Sequence, residues 1–527
     1  MKKSIALLMV TSLLVCALAV GVAADSKASK PEPEKTEAGA ENKTGAQEED
    51  ATEEDAQEAS APEDHVVRTT HSITLGGEKI SYTAEAGTMA LTSGGDACEI
   101  FYTAYTKNGV KDKGERPITF AFNGGPGSSS FYLHMACLGP RCAELDEVGN
   151  AKTLPAKIID NENSILDMTD LVFIDPVGTG YSRAAEGVDP TAFYGYEADN
   201  RTVGDFIRQY VNRNKRWASE KYLAGESYGT TRAVGVCEYL SDQYSIFLNG
   251  LMLISSANDY SVLVGCEGNE TPYALALPTY AADAWYHKKL SKEYQDMNLE
   301  DYLEKVRDFV QKEYVPALFM GNRLTQKEEK DLAKKMSEFI ALDEEDILQA
   351  NLRIDLDTFS PKLLEDQKLM IGRYDGRITG PVTAGDLSNG SADPSSSSTD
   401  IALGNTFEAY LTEELNYETD TEFIPLSLDV NSAWTFLPEG ELGYPSQEST
   451  IHDLMAKNKF LKVWVLCGYY DNATPFYATE WTFSHVFLDK ERSKNLSLTY
   501  YPSGHMFYVD KEAFAKFRKD AENWFKN

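Results

Sequence analysis

The sequence predicts an α/β fold whose mostly parallel central sheet is covered by helices on both faces. Two observations support this prediction: apolar strand-like runs recur along the chain, and helix-like segments lie between several of them. Strands that are apolar at every position are typical of parallel sheets, because helices cover both faces of such a sheet. With 42% hydrophobic residues among 527, the chain can bury a large core.

Six apolar runs are the expected strands of this sheet. A β-like stretch with Gly-rich turns covers residues 65–122, and helix-like segments occupy residues 198–215 and 230–245. The alternation stops between residues 270 and 440, where the spacing is helical, apart from a Ser- and Gly-rich loop expected at residues 384–400. The six runs are residues 117–122, 171–175, 221–224, 250–255, 461–467 and 496–501.

These patterns divide the chain into five segments. We expect a signal peptide, a disordered acidic spacer, a first part of the core, a largely helical cap insertion and a second part of the core. In that order they are residues 1–24, 25–64, 65–269, 270–440 and 441–527.

The first 24 residues have the features of an export signal. Two lysines follow Met1, an almost continuous apolar run covers residues 5–20, and small residues at 22–24 offer a cleavage site. We therefore expect a secreted or cell-envelope protein with no stable membrane insertion after signal cleavage. An uncleaved membrane anchor is the alternative, although the run is short for a span. A lipid anchor at Cys16 is less favoured, because Val15 stands where a small residue is usual.

Acidic residues dominate both the spacer and the whole chain. Residues 25–64 hold 14 Asp or Glu against 4 Lys, with no aromatic residue, Val, Ile, Leu or Met. Such a stretch buries too little apolar surface to offset its ordering entropy, so it is predicted to be disordered. The chain carries a net charge of −33, of which residues 65–527 carry −25. A surface this acidic repels phosphate backbones and argues against nucleic acid as a partner.

Cysteine spacing gives no sign of a metal site. Seven cysteines occur, and six remain if Cys16 leaves with the signal, but no CxxC pair or Cys/His cluster has the spacing of zinc ligands. We therefore expect neither a metal nor a cofactor. An exported protein could pair some of these cysteines, yet the sequence assigns no particular disulfide.

A candidate nucleophile lies in a G-x-S-x-G motif, which spans residues 225–229, follows an apolar strand and precedes a helix. Small residues at both ends allow the sharp strand-to-helix turn that lifts a serine above the end of the sheet in the α/β-hydrolase fold. Ser227 is therefore the candidate nucleophile, and the backbone amide of Tyr228 is a candidate oxyanion donor. A structural glycine turn with an incidental serine is the alternative.

A serine hydroxyl needs a base, and the base needs an orienting carboxylate. In α/β hydrolases the acid follows the serine, and the histidine follows the acid. Asp471 comes just after the strand at 461–467, and His505 lies in a loop just after the strand at 496–501, so they complete the predicted triad. His485 lies in a helix-like segment and is interpreted as a packing residue. Roles limited to capping or forming a turn are the alternatives for Asp471 and His505.

A glycine-rich loop offers the second oxyanion donor. Residues 124–127, Gly-Gly-Pro-Gly, follow the strand at 117–122 and let backbone amides approach a reacting carbonyl. Gly125 is the candidate. A phosphate-binding role is disfavoured, because no Gly-Lys-Ser/Thr follows the loop.

With these residues identified, the sequence resembles the serine carboxypeptidases. Four blocks carry the resemblance in the order of the family, and it covers the chain from about residue 65 onward. Residues 277–281 and 372–377 are similar to the bacterial branch of the family. The four blocks are residues 123–130, 175–182, 225–229, and 504–506 preceded by Asp471.

The resemblance implies an enzyme that removes single residues from the C-termini of peptides or proteins through an acyl-enzyme on Ser227. It also implies that Asn123 and Glu226 hydrogen-bond the terminal carboxylate of the substrate and that Met506 lines the pocket for the leaving residue. Two carboxylates share a hydrogen bond only if one is protonated, which favours an acidic working pH. A buried structural acid at Glu226 and a core methionine at Met506 are the alternatives.

The chain departs from the family pattern at three places. Ser128 stands where members often have a cysteine, Cys137 stands where many carry a second glutamate, and Phe507-Tyr508 replace a frequent Val-Pro. The paired-carboxylate arrangement is therefore incomplete, and we expect the preference for the leaving residue to differ.

Two other kinds of function stay open on the sequence. The first is another α/β-hydrolase activity: esterase, acyltransferase or proline aminopeptidase-like. Proline aminopeptidases commonly have His where Asn123 stands, which disfavours that choice. The second is a catalytically silent binding protein that uses the acidic spacer as a stalk, and it is disfavoured because every catalytic position is filled.

Overall fold

The structure is a computed structural model that describes residues 62–382, 393–437 and 440–526. The expected signal peptide and all but the last three residues of the expected spacer lie outside these ranges. None of the helices within the described residues combines the length and apolar character needed to cross a membrane.

Fourteen strands occur in the described residues. Most of them coincide with the apolar or alternating runs of the sequence. They are β1 (His65–Leu75), β2 (Glu78–Ser93), β3 (Asp96–Lys107), β4 (Ile118–Phe122), β5 (Arg141–Ala143), β6 (Ile158–Asp160), β7 (Asp170–Ile174), β8 (Arg183–Ala184), β9 (Lys221–Ser227), β10 (Gly250–Ser256), β11 (Leu369–Ile371), β12 (Thr379–Pro381), β13 (Lys462–Gly468) and β14 (Leu496–Tyr501).

Ten of these strands form one central sheet in the order β1-β2-β3-β7-β4-β9-β10-β13-β14, with β8 paired to β3. Strands β1, β2, β3 and β7 pair antiparallel, and every pair from β7 to β14 is parallel. The six parallel strands are the six apolar runs of the sequence, so the predicted parallel sheet is confirmed. The pairs β5–β6 and β11–β12 form two small separate sheets.

Fourteen α-helices occur in the described residues. Several connect the parallel strands, and a larger group lies between β10 and β13. They are α1 (Tyr196–Arg213), α2 (Tyr228–Tyr244), α3 (Thr271–Tyr286), α4 (Lys292–Gln295), α5 (Leu299–Phe309), α6 (Val315–Met320), α7 (Gln326–Ile340), α8 (Glu344–Gln349), α9 (Leu356–Leu363), α10 (Pro394–Ala409), α11 (Leu428–Ser432), α12 (Glu448–Lys457), α13 (Phe476–Ser484) and α14 (Lys511–Lys526).

The central sheet separates two hydrophobic cores, because successive side chains of a strand point to opposite faces. Phe120 of β4 packs in the core that contains α1 and α2, whereas its neighbour Ala121 packs in the core that contains α14. In β13, Val465 belongs to the first core and Trp464 stacks on Phe517 of α14 in the second. Burial on both faces explains why these strands are apolar at every position.

The expected loop at residues 384–400 is wrong in its last part, because α10 begins at Pro394. The side chain of Asp393 accepts a hydrogen bond from the backbone amide of Ser395 at 2.9 Å, and Pro394 occupies the first helical position. Both features are favoured helix starts, since the cap satisfies an amide and proline needs no donor there. The limits of the cap insertion, residues 270 and 440, stay a prediction.

A buried charge cluster ties together the beginnings of the central strands. Asp170, the first residue of β7, accepts hydrogen bonds from Arg116 Nε and Arg216 Nη1, both at 2.6 Å. All three side chains are less than 10% exposed. A buried guanidinium is tolerated only when a counter-charge and acceptors compensate for lost hydration, so one carboxylate compensates two cations here.

Replacing Asp170 with Asn should lower the free energy of unfolding by about 3–5 kcal/mol, because two buried guanidinium groups lose their counter-charge. The midpoint of urea unfolding measures this effect. Glu491→Ala is the matched control, since its ion pair with Lys494 is 81% exposed on the glutamate side and should leave the midpoint unchanged. An Asp170→Asn protein as stable as the parent would show that other groups neutralise the two arginines.

Candidate active site

The candidate nucleophile sits on a strained turn between β9 and α2. Ser227 adopts φ 58° and ψ −129°, a backbone conformation that residues other than glycine rarely adopt. A Cβ atom on Gly225 would lie 2.0 Å from the carbonyl oxygen of Gly229, and one on Gly229 would lie 2.8 Å from the carbonyl oxygen of Phe122. The two glycines are required because strand, helix and β4 approach each other closely at this turn.

The glycine-rich loop after β4 packs directly on the same turn. A Cβ atom on Gly124 would lie 2.5 Å from the backbone nitrogen of Tyr228. That nitrogen is the first of α2, where amides have no acceptor inside the helix. The neighbouring Gly125 is exposed, and its amide donates no hydrogen bond to any described residue. Two candidate oxyanion donors therefore lie on adjoining backbone segments beside Ser227.

A buried arginine holds the loop after β4 and the helix after Ser227 together. Arg232 of α2 is fully buried, and its Nε donates to Asp199 Oδ2 of α1 at 2.7 Å. Its Nη1 donates to the carbonyl oxygen of Asn123 at 2.5 Å, which holds the loop after β4 against the helix that follows Ser227. The guanidinium also lies over the rings of Phe122 and Tyr228.

The candidate acid and base are paired at the carboxyl ends of β13 and β14. Asp471 Oδ2 lies 2.8 Å from His505 Nδ1, and both side chains are buried. Asp471 also accepts hydrogen bonds from the backbone amides of Ala473 and Thr474 and from the Thr474 hydroxyl, at 2.6–2.9 Å. With Nδ1 engaged by the carboxylate, Nε2 is the ring nitrogen left to accept a proton.

Backbone contacts hold the His505 loop. The His505 amide donates to the carbonyl oxygen of Tyr374 at 2.6 Å, and the Ser255 hydroxyl donates to the His505 carbonyl oxygen at 2.6 Å. Burial lowers the pKa of His505, but the charge and the hydrogen bond of Asp471 outweigh burial and raise the pKa above 6.5. The imidazole is therefore biased toward holding a proton.

One cavity of about 270 Å³ brings the predicted residues together. Ser227 and His505 line it, and the Ser227 hydroxyl makes no hydrogen bond to any described residue. Catalytic hydrogen bonds are often long without substrate and tighten when substrate binds. The other predicted residues that line the cavity are Asn123, Gly125, Glu226 and Met506.

Asp471 does not line this cavity and is joined to it through His505, and the side chains of Tyr228 and His485 do not line it either. The Tyr228 ring is buried against Trp434 and Phe436, so only its backbone amide serves the predicted role. His485 directly follows α13 as its C-cap residue, and its ring stacks on Trp481.

Glu226 is bound by two neutral donors. Asn123 Nδ2 donates to Glu226 Oε2 at 2.9 Å, and the Tyr508 hydroxyl donates to the same oxygen at 2.5 Å. Burial raises the pKa of Glu226 to about 7, although His505, Tyr508 and Asn123 each lower it. The carboxyl group can therefore exist in its protonated form near neutral pH.

Tyr508, and not the residue at position 137, supplies a side-chain hydrogen bond to Glu226. Cys137 is a buried thiol, and the pKa of that thiol is raised well above its usual range by burial and then by the charge of Glu226. A phenol, not a second carboxylate, hydrogen-bonds Glu226. This contact was not predicted from the sequence, although Tyr508 is one of the positions that depart from the family pattern.

The sequence did not identify several further residues of the cavity wall. The Tyr132 hydroxyl donates to Asp400 Oδ1 at 2.5 Å, and the Ser396 hydroxyl donates to Asp400 Oδ2 at 3.1 Å. Most of the missed residues belong to the region 270–440, for which no substrate contact was predicted. The missed lining residues are Gly124, Ser128, Tyr132, Arg373, Tyr374, Ser396, Asp400, Leu426, Leu428 and Asn431.

The six cysteines within the described residues are free thiols, and no group of three or more His, Cys, Asp or Glu in those residues is placed to hold a metal ion. Five of the six, all except Cys266, have pKa values raised by burial. Burial therefore disfavours their reactive thiolate forms.

Known sequences resemble this chain over short segments. It is 32% identical over 137 residues to the pheromone-processing carboxypeptidase KEX1 of Saccharomyces cerevisiae, covering 25% of this chain and 18% of the yeast protein. It is 30% identical over 166 residues to serine carboxypeptidase-like 29 of Arabidopsis thaliana, covering 29% of this chain and 32% of the plant protein. The aligned segments thus span less than a third of each relative.

The fold and the family extend over most of the chain. The crystal structure of the prohormone-processing carboxypeptidase KEX1 from Saccharomyces cerevisiae matches with a TM-score of 0.54 and 16% identity, covering 84% of this chain and 91% of that one. This likeness confirms the predicted α/β-hydrolase fold. A model of the serine carboxypeptidase family matches residues 77–512. The chain therefore belongs to the serine carboxypeptidase family.

Proposed function

We propose that the protein is an exported serine carboxypeptidase that releases single residues from the C-termini of peptides or proteins. One observation carries this proposal. Ser227 and His505 open into the same cavity as Asn123 and Glu226, so a nucleophile and base lie beside groups suited to a terminal carboxylate. A carboxylate-binding site and a nucleophile–base pair in one cavity favour cleavage near the C-terminus of a peptide.

The proposed reaction follows the logic of a serine triad. His505 Nε2 takes the proton of the Ser227 hydroxyl as the oxygen attacks the last peptide carbonyl. The amides of Gly125 and Tyr228 stabilise the resulting oxyanion. His505 then gives the proton to the departing amine, which leaves an ester on Ser227. Water, activated by the same imidazole, attacks this acyl-enzyme and frees the shortened peptide, while Asp471 keeps the imidazole oriented throughout.

Glu226 determines how the terminal carboxylate is held. In its protonated form it donates a hydrogen bond to the carboxylate, and the Asn123 amide supplies a second donor. Ionised, it repels the substrate, so kcat/KM should fall as pH rises through the pKa of Glu226, about 7. At the acid side kcat/KM should fall as His505, whose pKa is raised, gains its proton. The two groups interact, so the profile reports them jointly.

Export and finer classification are parts of the same proposal. Export is supported by the basic start, apolar run and small residues within residues 1–24, which lie outside the described residues. The bacterial branch is supported by residues 277–281 and 372–377. We also propose the five-segment division of the chain, with the acidic spacer at 25–64 and the helical cap at 270–440.

Replacing Ser227 with Ala should lower release of the C-terminal residue by about 10⁴-fold or more, because the nucleophile is lost while binding groups remain. Mass spectrometry of a peptide before and after digestion measures the release. Circular dichroism should show that the variant is folded. Unchanged single-residue release by Ser227→Ala would contradict the proposal.

The same digestion on a peptide and its carboxyl-amidated twin separates the related activities. A carboxypeptidase that uses Asn123 and Glu226 should strongly prefer the free acid. An aminopeptidase should cleave both twins equally and from the other end, and equal C-terminal cleavage of both would remove the proposed role of the two residues.

Replacing Tyr508 with Phe should move the alkaline limb of the kcat/KM profile to higher pH. The phenol stabilises the ionised form of Glu226, so its removal raises the pKa of that carboxyl and extends the range in which Glu226 is protonated. Tyr302→Phe is the matched control, since that buried hydroxyl donates to the Phe339 carbonyl oxygen and does not line the cavity. An alkaline limb that stays in place in Tyr508→Phe would show that Glu226 does not set it.

A further inference from the structure

Arg373 places a cation in the wall of the cavity, and no described residue pairs with it. Its side chain is half-buried and forms no hydrogen bond or ion pair with any described residue. The guanidinium lies 5.0 Å from the centre of the Tyr374 ring, which leaves its donors unused. An arginine that lines a ligand cavity and whose five N–H donors bind no described residue is suited to a planar anion such as a carboxylate.

The other charged groups of the cavity are already engaged. Glu226 accepts hydrogen bonds from two donors, and His505 is bound to Asp471. Both oxygens of Asp400 accept hydroxyl hydrogen bonds. The carboxylate of Asp393, which lies beside Arg373 in the fold, accepts the Arg373 backbone amide at 3.0 Å as well as both donors of Ser395.

Backbone contacts fix Arg373 to the side of the cavity that carries the base. Its carbonyl oxygen accepts the Asn472 amide at 3.0 Å, one residue after Asp471. The next residue, Tyr374, accepts the His505 amide and packs its ring 5.2 Å from the imidazole. Arg373 therefore belongs to the wall formed with His505.

A second wall of the cavity is apolar and is attached to another segment of the fold. Leu426 and Leu428 are exposed side chains that line the cavity. Leu426 pairs with Ser128 through a backbone bridge, and Asn431 Nδ2 donates to the Pro126 carbonyl oxygen at 3.0 Å. The apolar wall is therefore attached to the loop of residues 126–128, whereas Arg373 is attached to the segments that carry Asp471 and His505.

The proposed reaction assigns the two walls to different residues of the substrate, and the inference rests on that proposed function. His505 must deliver a proton to the amine that departs, so the leaving residue lies on the wall of His505 and Arg373. The residue retained in the acyl-enzyme then lies toward Leu426 and Leu428.

We propose that Arg373 is a specificity-determining residue that selects peptides ending in Asp or Glu by pairing with the side-chain carboxylate of the leaving residue. The chain as a whole carries a net charge of −33 and repels acidic peptides at long range. The preference must therefore come from a short-range contact. A hydrogen-bonded ion pair of this kind corresponds to a preference of about 10- to 100-fold over an uncharged isostere.

The test compares blocked dipeptides that differ only in the last residue, Glu, Gln or Lys, assayed at pH 6 where the Glu side chain is ionised. We expect kcat/KM of the unmodified protein to favour Glu over Gln by about 10-fold or more. Arg373→Gln should bring that ratio near one and retain the rate on the Gln peptide. Arg373→Glu should favour Lys over Glu. Arg323→Gln, at an arginine outside the cavity, is the matched control and should keep the preference.

Labelling of Ser227 by a fluorophosphonate at the parental rate shows that each variant keeps a working nucleophile. Equal losses on the Glu and Gln peptides in Arg373→Gln would overturn the inference, because Arg373 would then hold the main chain. A parent protein that favours Gln or Lys overturns it as well. Release of no residue from any peptide overturns the proposed function itself, whereas release without a Glu preference overturns this inference alone.

Discussion

Three backbone segments meet at Ser227 with no room for a side chain between them. The end of β9, the start of α2 and the loop after β4 come so close that a Cβ atom on Gly124, Gly225 or Gly229 would lie between 2.0 and 2.8 Å from neighbouring backbone atoms. This contact holds the serine in its strained conformation and brings the Gly125 loop beside the Tyr228 amide. The parallel sheet makes it possible, because β4 and β9 are neighbours and end at the same edge.

The charges around this contact differ in how they are compensated. Two sets of ion pairs lie in the interior and hold backbone segments in place. They are Arg232 with Asp199, and Arg116 and Arg216 with Asp170. Glu226 has no cation against it among its hydrogen-bond partners, only an amide and a phenol. Burial with only neutral hydrogen-bond partners keeps the carboxyl group able to titrate near neutral pH. The structural charges thus have charged partners, whereas the candidate substrate-binding carboxyl group has neutral hydrogen-bond partners.

The central sheet and the nucleophile turn could be predicted from the sequence because their signals are local. The apolar run that becomes β9, the glycines at 225 and 229 and the following helix all lie within a short stretch. The contact between Tyr508 and Glu226 joins positions 282 residues apart, and no local pattern encodes it. Arg373 has the same difficulty, since only the packing of residues 373 and 374 against the segments that carry Asp471 and His505 brings it to the cavity. The start of α10 was missed although Asp393-Pro394 carries a helix-start signal, because the surrounding Ser and Gly residues favoured a loop.

The proposed activity depends on Ser227 and His505 acting as one unit next to a bound terminal carboxylate. A crystal structure of Ser227→Ala with an uncleaved peptide, compared with that of the unmodified protein, measures this most directly. We predict that the peptide carboxylate binds Asn123 and Glu226, and that the Ser227 oxygen of the unmodified protein lies about 2.6–3.2 Å from His505 Nε2 when the two structures are superposed. A carboxylate bound elsewhere, or an imidazole beyond hydrogen-bond reach of the serine, would contradict it.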